Sequence, residues 1–142
     1  MNLLAVHSTG DETSVCVILN HDINTFSLKH NRKERPDWNL FFERVGLNRF
    51  FSYKDIDVFA YADSPNSYTA TRLVASFMKG LSVALTKPLI VIADIDNKYK
   101  ADDIAKKALK KYISSDDPLV EYNPRNANPK YSEDVTFKKI NE

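Results

Sequence analysis

The sequence predicts an α/β protein built on one mixed sheet, and three observations carry that expectation. Three β-rich runs follow one another with short turns at the start of the 142-residue chain. Two further apolar runs, Ile56 to Ala62 and Pro88 to Asp94, come later. A helical stretch precedes each of them. Strands joined by short turns pair antiparallel, whereas strands separated by helices pair parallel through crossovers. The predicted order is therefore βββαβαβ, with five strands.

Asn2 to Ser8 (NLLAVHS) is the first strand, and Thr9 to Glu12 turns the chain. Thr13 to Asn20 (TSVCVILN) is the second, rich in β-branched residues. Ile23 to His30 alternates as a third. Asn31 to Arg35 is a charged loop, and Pro36 is expected in the first turn of a helix, where its missing N–H is tolerated. Trp38, Phe41, Phe42 and Val45 form an i, i+3, i+4, i+7 face. Gly46 should end or disturb that helix before Phe51.

The chain is organised around Asp63 to Leu85. Pro65 and Asn66 break the preceding strand, and Asn66 or Ser67 can cap the helix that follows. Leu73, Val74, Phe77, Met78, Leu81, Ala84 and Leu85 recur at helical spacing. Beside them runs a row of mostly small residues: Thr69, Ser76, Gly80, Val83 and Ala84. The two rows cover about 220° of the helix, where a one-sided surface helix needs about 100°. Burial within its own domain and burial between its sheet and a partner both fit that width.

After Asp94 the chain becomes polar. Residues 101–113 form an amphipathic helix, with Asp102 and Asp103 at its start and Lys110 and Lys111 near its end, matching the helix dipole. Residues 114–130 are expected to be irregular, and 131–142 to hold a short terminal segment at Val135 to Ile140.

Composition narrows the function classes. A net charge of +1 offers no global basic field for nucleic acid. The single cysteine, Cys16, excludes a disulfide framework and fits a reducing compartment, so a cytoplasmic location is expected. No apolar run is long enough to span a bilayer, so no membrane association is expected. His7, Asp11 and Glu12 lie near one strand end, and His21 and His30 at others, without the ligand spacing of a metal site. Ser8 beside His7 is not a triad. The loops at 7–13 and 63–67 share one glycine, Gly10, too few for a phosphate-cradling loop, and no cofactor is expected. The lysines at 98, 100, 106, 107, 110 and 111 read first as a solvated face, without aromatic interleaving for RNA. The aromatics Trp38, Phe41, Phe42, Phe50 and Phe51 suit either core packing or a protein–protein face.

Three stretches resemble the TsaB family, also called YeaZ. LLAVHSTGDETSVCVIL resembles its opening L-A-I-D-T-S/A-T-x-x-x-S-V-A-L. IDVFAYADSPNSYTATRLVASFMKGLSVAL resembles its I-x-x-L-A-V-x-x-G-P-G-S-F-T-G-x-R-I-G-x-x-x-A-K-G-L-A. There Pro65, Ser67, Tyr68 and Thr69 stand at P-x-S-F-T, Arg72 at the arginine, and Lys79, Gly80 and Leu81 at K-G-L. PKYSEDVTFKKI resembles the closing P-x-Y-L-R-x-x-V-A-W-K-K-L.

The resemblance implies an actin/Hsp70-like (ribonuclease H-like) lobe at 1–94, with 95–142 a reduced remnant of a second lobe. It implies a non-catalytic scaffold that binds and activates a TsaD-type enzyme for N6-threonylcarbamoyladenosine modification of tRNA. A TsaE-like ATPase is a further partner, tRNA an indirect one, and a homodimer is the state expected of the chain alone. The implied interface lies on helices 37–46 and 67–85, at Trp38, Phe41, Phe42, Val45, Arg72, Leu73, Ser76, Phe77, Lys79 and Gly80. The departures weigh against a nucleotide site: His7 replaces the usual Asp, Ser64, Pro65 and Asn66 replace G-P-G, and Ala70 stands at the small residue after Phe-Thr. The rival expectations are a homodimeric adaptor for another partner, or an enzyme, either a peptidase or a small ATPase.

Overall fold

A computed structural model describes residues 1–9, 11–31, 36–64, 68–96 and 98–127. The proposed caps Asn66 and Ser67, the residue Pro65 and the terminal segment Val135 to Ile140 lie outside the described residues. Strands β1 (Asn2–Ser8), β2 (Glu12–Leu19) and β3 (Asp22–Lys29) come first. Helix α1 (Trp38–Arg44), strand β4 (Val58–Asp63), helix α2 (Tyr68–Leu85) and strand β5 (Leu89–Ala93) alternate after them. The five strands make one sheet in the order β3-β2-β1-β4-β5. β1, β2 and β3 pair antiparallel, and β4 pairs parallel with both β1 and β5. This is the mixed sheet expected from the spacing of strands and helices.

Period-two alternation divides the sheet into two cores. Leu4, Val6, Val15, Val17, Phe59 and Tyr61 face α1 and α2. Leu3, Ala5, Cys16, Val58, Ala60 and Ile90 face the opposite way, against helix α3 (Ala101–Ser114). α3 buries Ala101, Ile104, Ala105 and Ala108 there, so the segment after Asp94 returns to the same sheet and covers its second face. Residues 114–130 are not simply irregular: α4 (Pro118–Glu121) and a 3-10 turn at Pro124–Asn126 occupy part of the stretch. Both begin at a proline one residue after an Asp or Asn cap, Asp117 or Asn123, whose side chain accepts a backbone N–H.

Helix α1 starts two residues after the proline expected to open it. Asp37 is its N-cap and accepts from the Leu40 N–H at 3.3 Å, which leaves Pro36 outside the helix. The helix ends at Arg44, and Gly46 follows with φ +116°. A Cβ there would meet the Phe50 ring at 2.7 Å, so the turn into Leu47 requires glycine both for backbone and for space. α2 closes differently. Lys87 N–H donates to Ser82 O and Thr86 N–H to Val83 O, with Thr86 at φ 55°, the bonding of a Schellman turn.

Candidate functional site

The two helices on the first face of the sheet meet through aromatic rings. Trp38 and Phe42 of α1 stack on Phe77 of α2 at 5.4 and 5.8 Å between centroids. Phe41 turns the other way, its ring edge-on to Phe26 of β3 at 5.4 Å. Phe41, Phe42 and Val45 are buried, and they belong to the chain's own core. In the chain alone they offer no exposed surface. The i, i+3, i+4 face that they share with Trp38 is wide enough to fill the space over the sheet, and only Trp38, at its edge, stays half-buried.

The face that α2 turns to the sheet also differs from the one its large residues suggest. Its buried residues are Ala70, Thr71, Val74, Ala75, Met78 and Ser82. Thr71 ties down the helix start by donating to Ser64 O at 3.0 Å, and Ser82 donates to Met78 O at 2.7 Å. Alanines and hydroxyls let the helix sit close to the strands. As a result Leu73, Phe77, Leu81 and Leu85 are only half-buried, and Thr69, Ser76, Gly80 and Ala84 are exposed. Of the expected interface residues, Trp38, Leu73, Ser76, Phe77 and Gly80 form this outer stripe, flanked by exposed Arg72 and half-buried Lys79. A Cβ on Gly80 would touch nothing within 4 Å. The chain's own packing therefore does not require a glycine in the middle of that helix.

A second constellation lies at the carboxyl ends of the parallel strands, where ligands of open α/β sheets gather. His7 Nε2 pairs with Asp94 Oδ2 at 2.7 Å, with both side chains nearly inaccessible. The pair reaches from the end of β1 past β4 to the end of β5. The same carboxylate accepts from the Lys98 and Tyr99 N–H groups, at 2.9 and 3.3 Å, and so fixes the loop that leads into α3. His7 Nδ1 is buried with no hydrogen-bond partner among the described residues. His7 lines a cleft of about 200 Å³ together with Ser14, Ser27, Lys98, Tyr99 and Lys100.

Beside it, on the first face, Ser8 Oγ, Thr13 Oγ1 and His30 Nε2 form a chain of contacts of 2.9 and 2.8 Å. Ser8 and Thr13 are buried, so that hydroxyl is closed to a substrate in this arrangement. Spacing along the chain signals neither constellation. The usable clue was a polar residue closing each apolar parallel strand: Ser8, Asp63 and Asp94. Among the described residues no group of three His, Cys, Asp or Glu is placed to hold a metal ion, and no helix is long and apolar enough to cross a membrane. Cys16 is buried under α3, and burial pushes its thiol up from 9.0 to about 12.

Comparison with known proteins adds three findings. Residues 47–114 match the family model described as "TsaD: tRNA N6-adenosine threonylcarbamoyltransferase". A tRNA threonylcarbamoyladenosine biosynthesis protein TsaB of Buchnera aphidicola is 25% identical over 109 residues, spanning 72% of this chain and 49% of that one. The structure of YeaZ from Pseudomonas aeruginosa superposes with a TM-score of 0.61 at 18% identity, covering 80% of this chain and 49% of that one. A second crystal structure, of a protein described as similar to peptidase YeaZ from the same organism, gives the same figures. The chain spans about half the length of these relatives. The fold is thus the one these YeaZ structures share, and in sequence, family model and fold the chain is similar to TsaB/YeaZ-type proteins.

Proposed function

We propose that this chain is a non-catalytic scaffold that binds and activates a TsaD-type enzyme for N6-threonylcarbamoyladenosine modification of tRNA, working in the cytoplasm. One observation carries the interaction: an exposed stripe of small residues on α2, centred on a glycine that its own fold leaves in open space. Glycine inside a helix costs about 0.5–1 kcal/mol relative to alanine. A glycine kept there without an internal packing role suits the close approach of a second helix. Trp38, Leu73 and Phe77, half-buried along the same edge, supply the apolar contacts, and Arg72 and Lys79 the polar rim. Large apolar anchors inside a polar rim are the usual anatomy of such a surface. The match to a TsaB biosynthesis protein supplies the pathway, and the TsaD family-model match is consistent with a TsaD-type partner. A TsaE-like ATPase joins the assembly elsewhere, and without TsaD the same stripe pairs two copies of this chain.

Light-scattering size exclusion of the chain, alone and mixed with the TsaD-type protein of its own organism, tests this function. A peak at the heterodimer mass is the expected result. Ser76→Lys places a long cation at an exposed position in the middle of the stripe and leaves the core untouched. It should abolish the heterodimer peak while the melting temperature stays within a few degrees of the parent. A homodimer that ignores TsaD would overturn the function and leave the adaptor reading. Normal heterodimer formation by the Ser76→Lys variant would overturn the placement of the interface.

A further inference from the structure

The solvent face of α3 carries Lys106, Lys107, Lys110 and Lys111, all exposed, and the loop leading into the helix adds exposed Lys98 and Lys100. In a chain of net charge +1 these six form a local concentration of positive charge. Among the described residues only Lys106 of the six lies near a carboxylate, Asp102 at 4.0 Å. Lys98 and Lys107 hold their ammonium groups over the Tyr99 ring, at 5.9 and 4.8 Å, which joins the loop to the helix in one continuous band. From Lys100 to Lys111 the helix rises about 16 Å. A strand of duplex nucleic acid carries a charge about every 3.4 Å, so the band faces on the order of four phosphates.

The band lies on the side of the sheet away from α1 and α2, so both surfaces can be occupied together. The apolar face of α3 is buried on the sheet, and Ile113 is the one large apolar residue that the helix exposes, too little apolar area to enter a membrane. We propose that this lysine band is a contact surface for the phosphate backbone of the tRNA that the complex modifies. This rests on the proposed function for the choice of RNA as the polyanion. Lysines act as point charges, and the Tyr99 ring is already covered by ammonium groups, so the surface holds the backbone and reads no sequence.

The test is fluorescence anisotropy of a labelled tRNA transcript with the full chain, from 50 to 200 mM KCl. Binding through about four phosphates weakens roughly ten-fold for each doubling of salt. Replacing Lys107, Lys110 and Lys111 together by Gln keeps helix propensity and should flatten the log–log salt slope by about two to three. Lys54→Gln, an exposed control in the turn Tyr53–Asp55 outside α3 and its leading loop, should leave the slope unchanged. Size exclusion with the TsaD-type protein runs in parallel. A triple variant that keeps its partner but loses tRNA supports the surface. Wild-type chain that binds partner and not tRNA, or a triple variant with an unchanged slope, overturns it. A triple variant that loses partner while keeping tRNA makes the band a protein contact and overturns it equally. Salt-dependent tRNA binding by a chain that takes no TsaD-type partner keeps the surface and removes the scaffold function.

Discussion

Gly80→Ala separates what the helix needs from what its partner needs. In the isolated chain the added methyl meets no atom within 4 Å, and Gly80 has ordinary helical backbone. The substitution removes the entropic penalty of glycine and should stabilise the chain by about 0.5–1 kcal/mol. For a protein of this size that corresponds to a rise of roughly 2–4 °C in Tm. In the proposed complex the same methyl would enter the centre of a close helix–helix contact. Overpacking there costs about 1–3 kcal/mol, an affinity loss of roughly 5- to 150-fold. Thermal melting measures the first effect, at concentrations low enough that self-association does not contribute. Isothermal calorimetry with the TsaD-type protein measures the second. The two effects have opposite signs, and that opposition is diagnostic. A variant that is more stable and binds as before would show that no partner approaches Gly80. A variant less stable on its own would show that the helix packs against something the open space around Gly80 does not reveal.

Two further outcomes test the strand ends and the second core. His7→Asp restores the family's usual residue but sets a second carboxylate against buried Asp94, which should cost about 3–5 kcal/mol; adding Asp94→Asn, whose amide can donate to the new carboxylate, should recover part of the lost Tm, and strictly additive losses would refute a direct pair. Burial holds the Cys16 thiol at about 12 in the folded chain against 9.0 ordinarily, so a thiol reagent at pH 8 should react only as fast as the protein unfolds. Because the folded-state value is the higher one, this group's contribution to stability is full below pH 9.0 and is lost as pH rises toward about 12. Across that range the chemical-denaturant midpoint of the parent should fall more steeply with rising pH than that of Cys16→Val.

The order of elements was legible because each strand is a short, nearly continuous apolar or alternating run, and the helices between them have their own period. The side that α2 buries was not. A helical wheel joins Leu73 and Phe77 in one apolar stripe with Val74 and Met78, whereas the sheet also selects Ala70, Ala75 and Ser82, which are small enough to let the backbone approach. The aromatic face of α1 had the opposite ambiguity: Phe41 and Phe42 fit a core or a partner equally well, and only the position of β3 and α2 decides for the core. The His7–Asp94 pair was invisible because its members are 87 residues apart and meet only once the order β1-β4-β5 is known.

Covering both faces of the sheet has a consequence for how a partner can bind. α1 and α2 close one core and α3 closes the other, so the large apolar side chains of the strands are already spent internally. What α2 leaves outward is narrow: half-buried Leu73 and Phe77, with Trp38 stacked on the latter, beside exposed Ser76 and Gly80. Affinity on such a stripe comes from completing the burial of a few side chains that are already held in place. Phe77 is fixed between Trp38 and Phe42 before any partner arrives, so little rotamer entropy remains to be lost on binding. The small residues then set the distance at which a second helix can rest on those rings. Binding energy and geometry are thus divided between neighbouring positions of one helix, which is why Ser76 and Gly80, with almost no area of their own, are the positions where substitution should act most strongly.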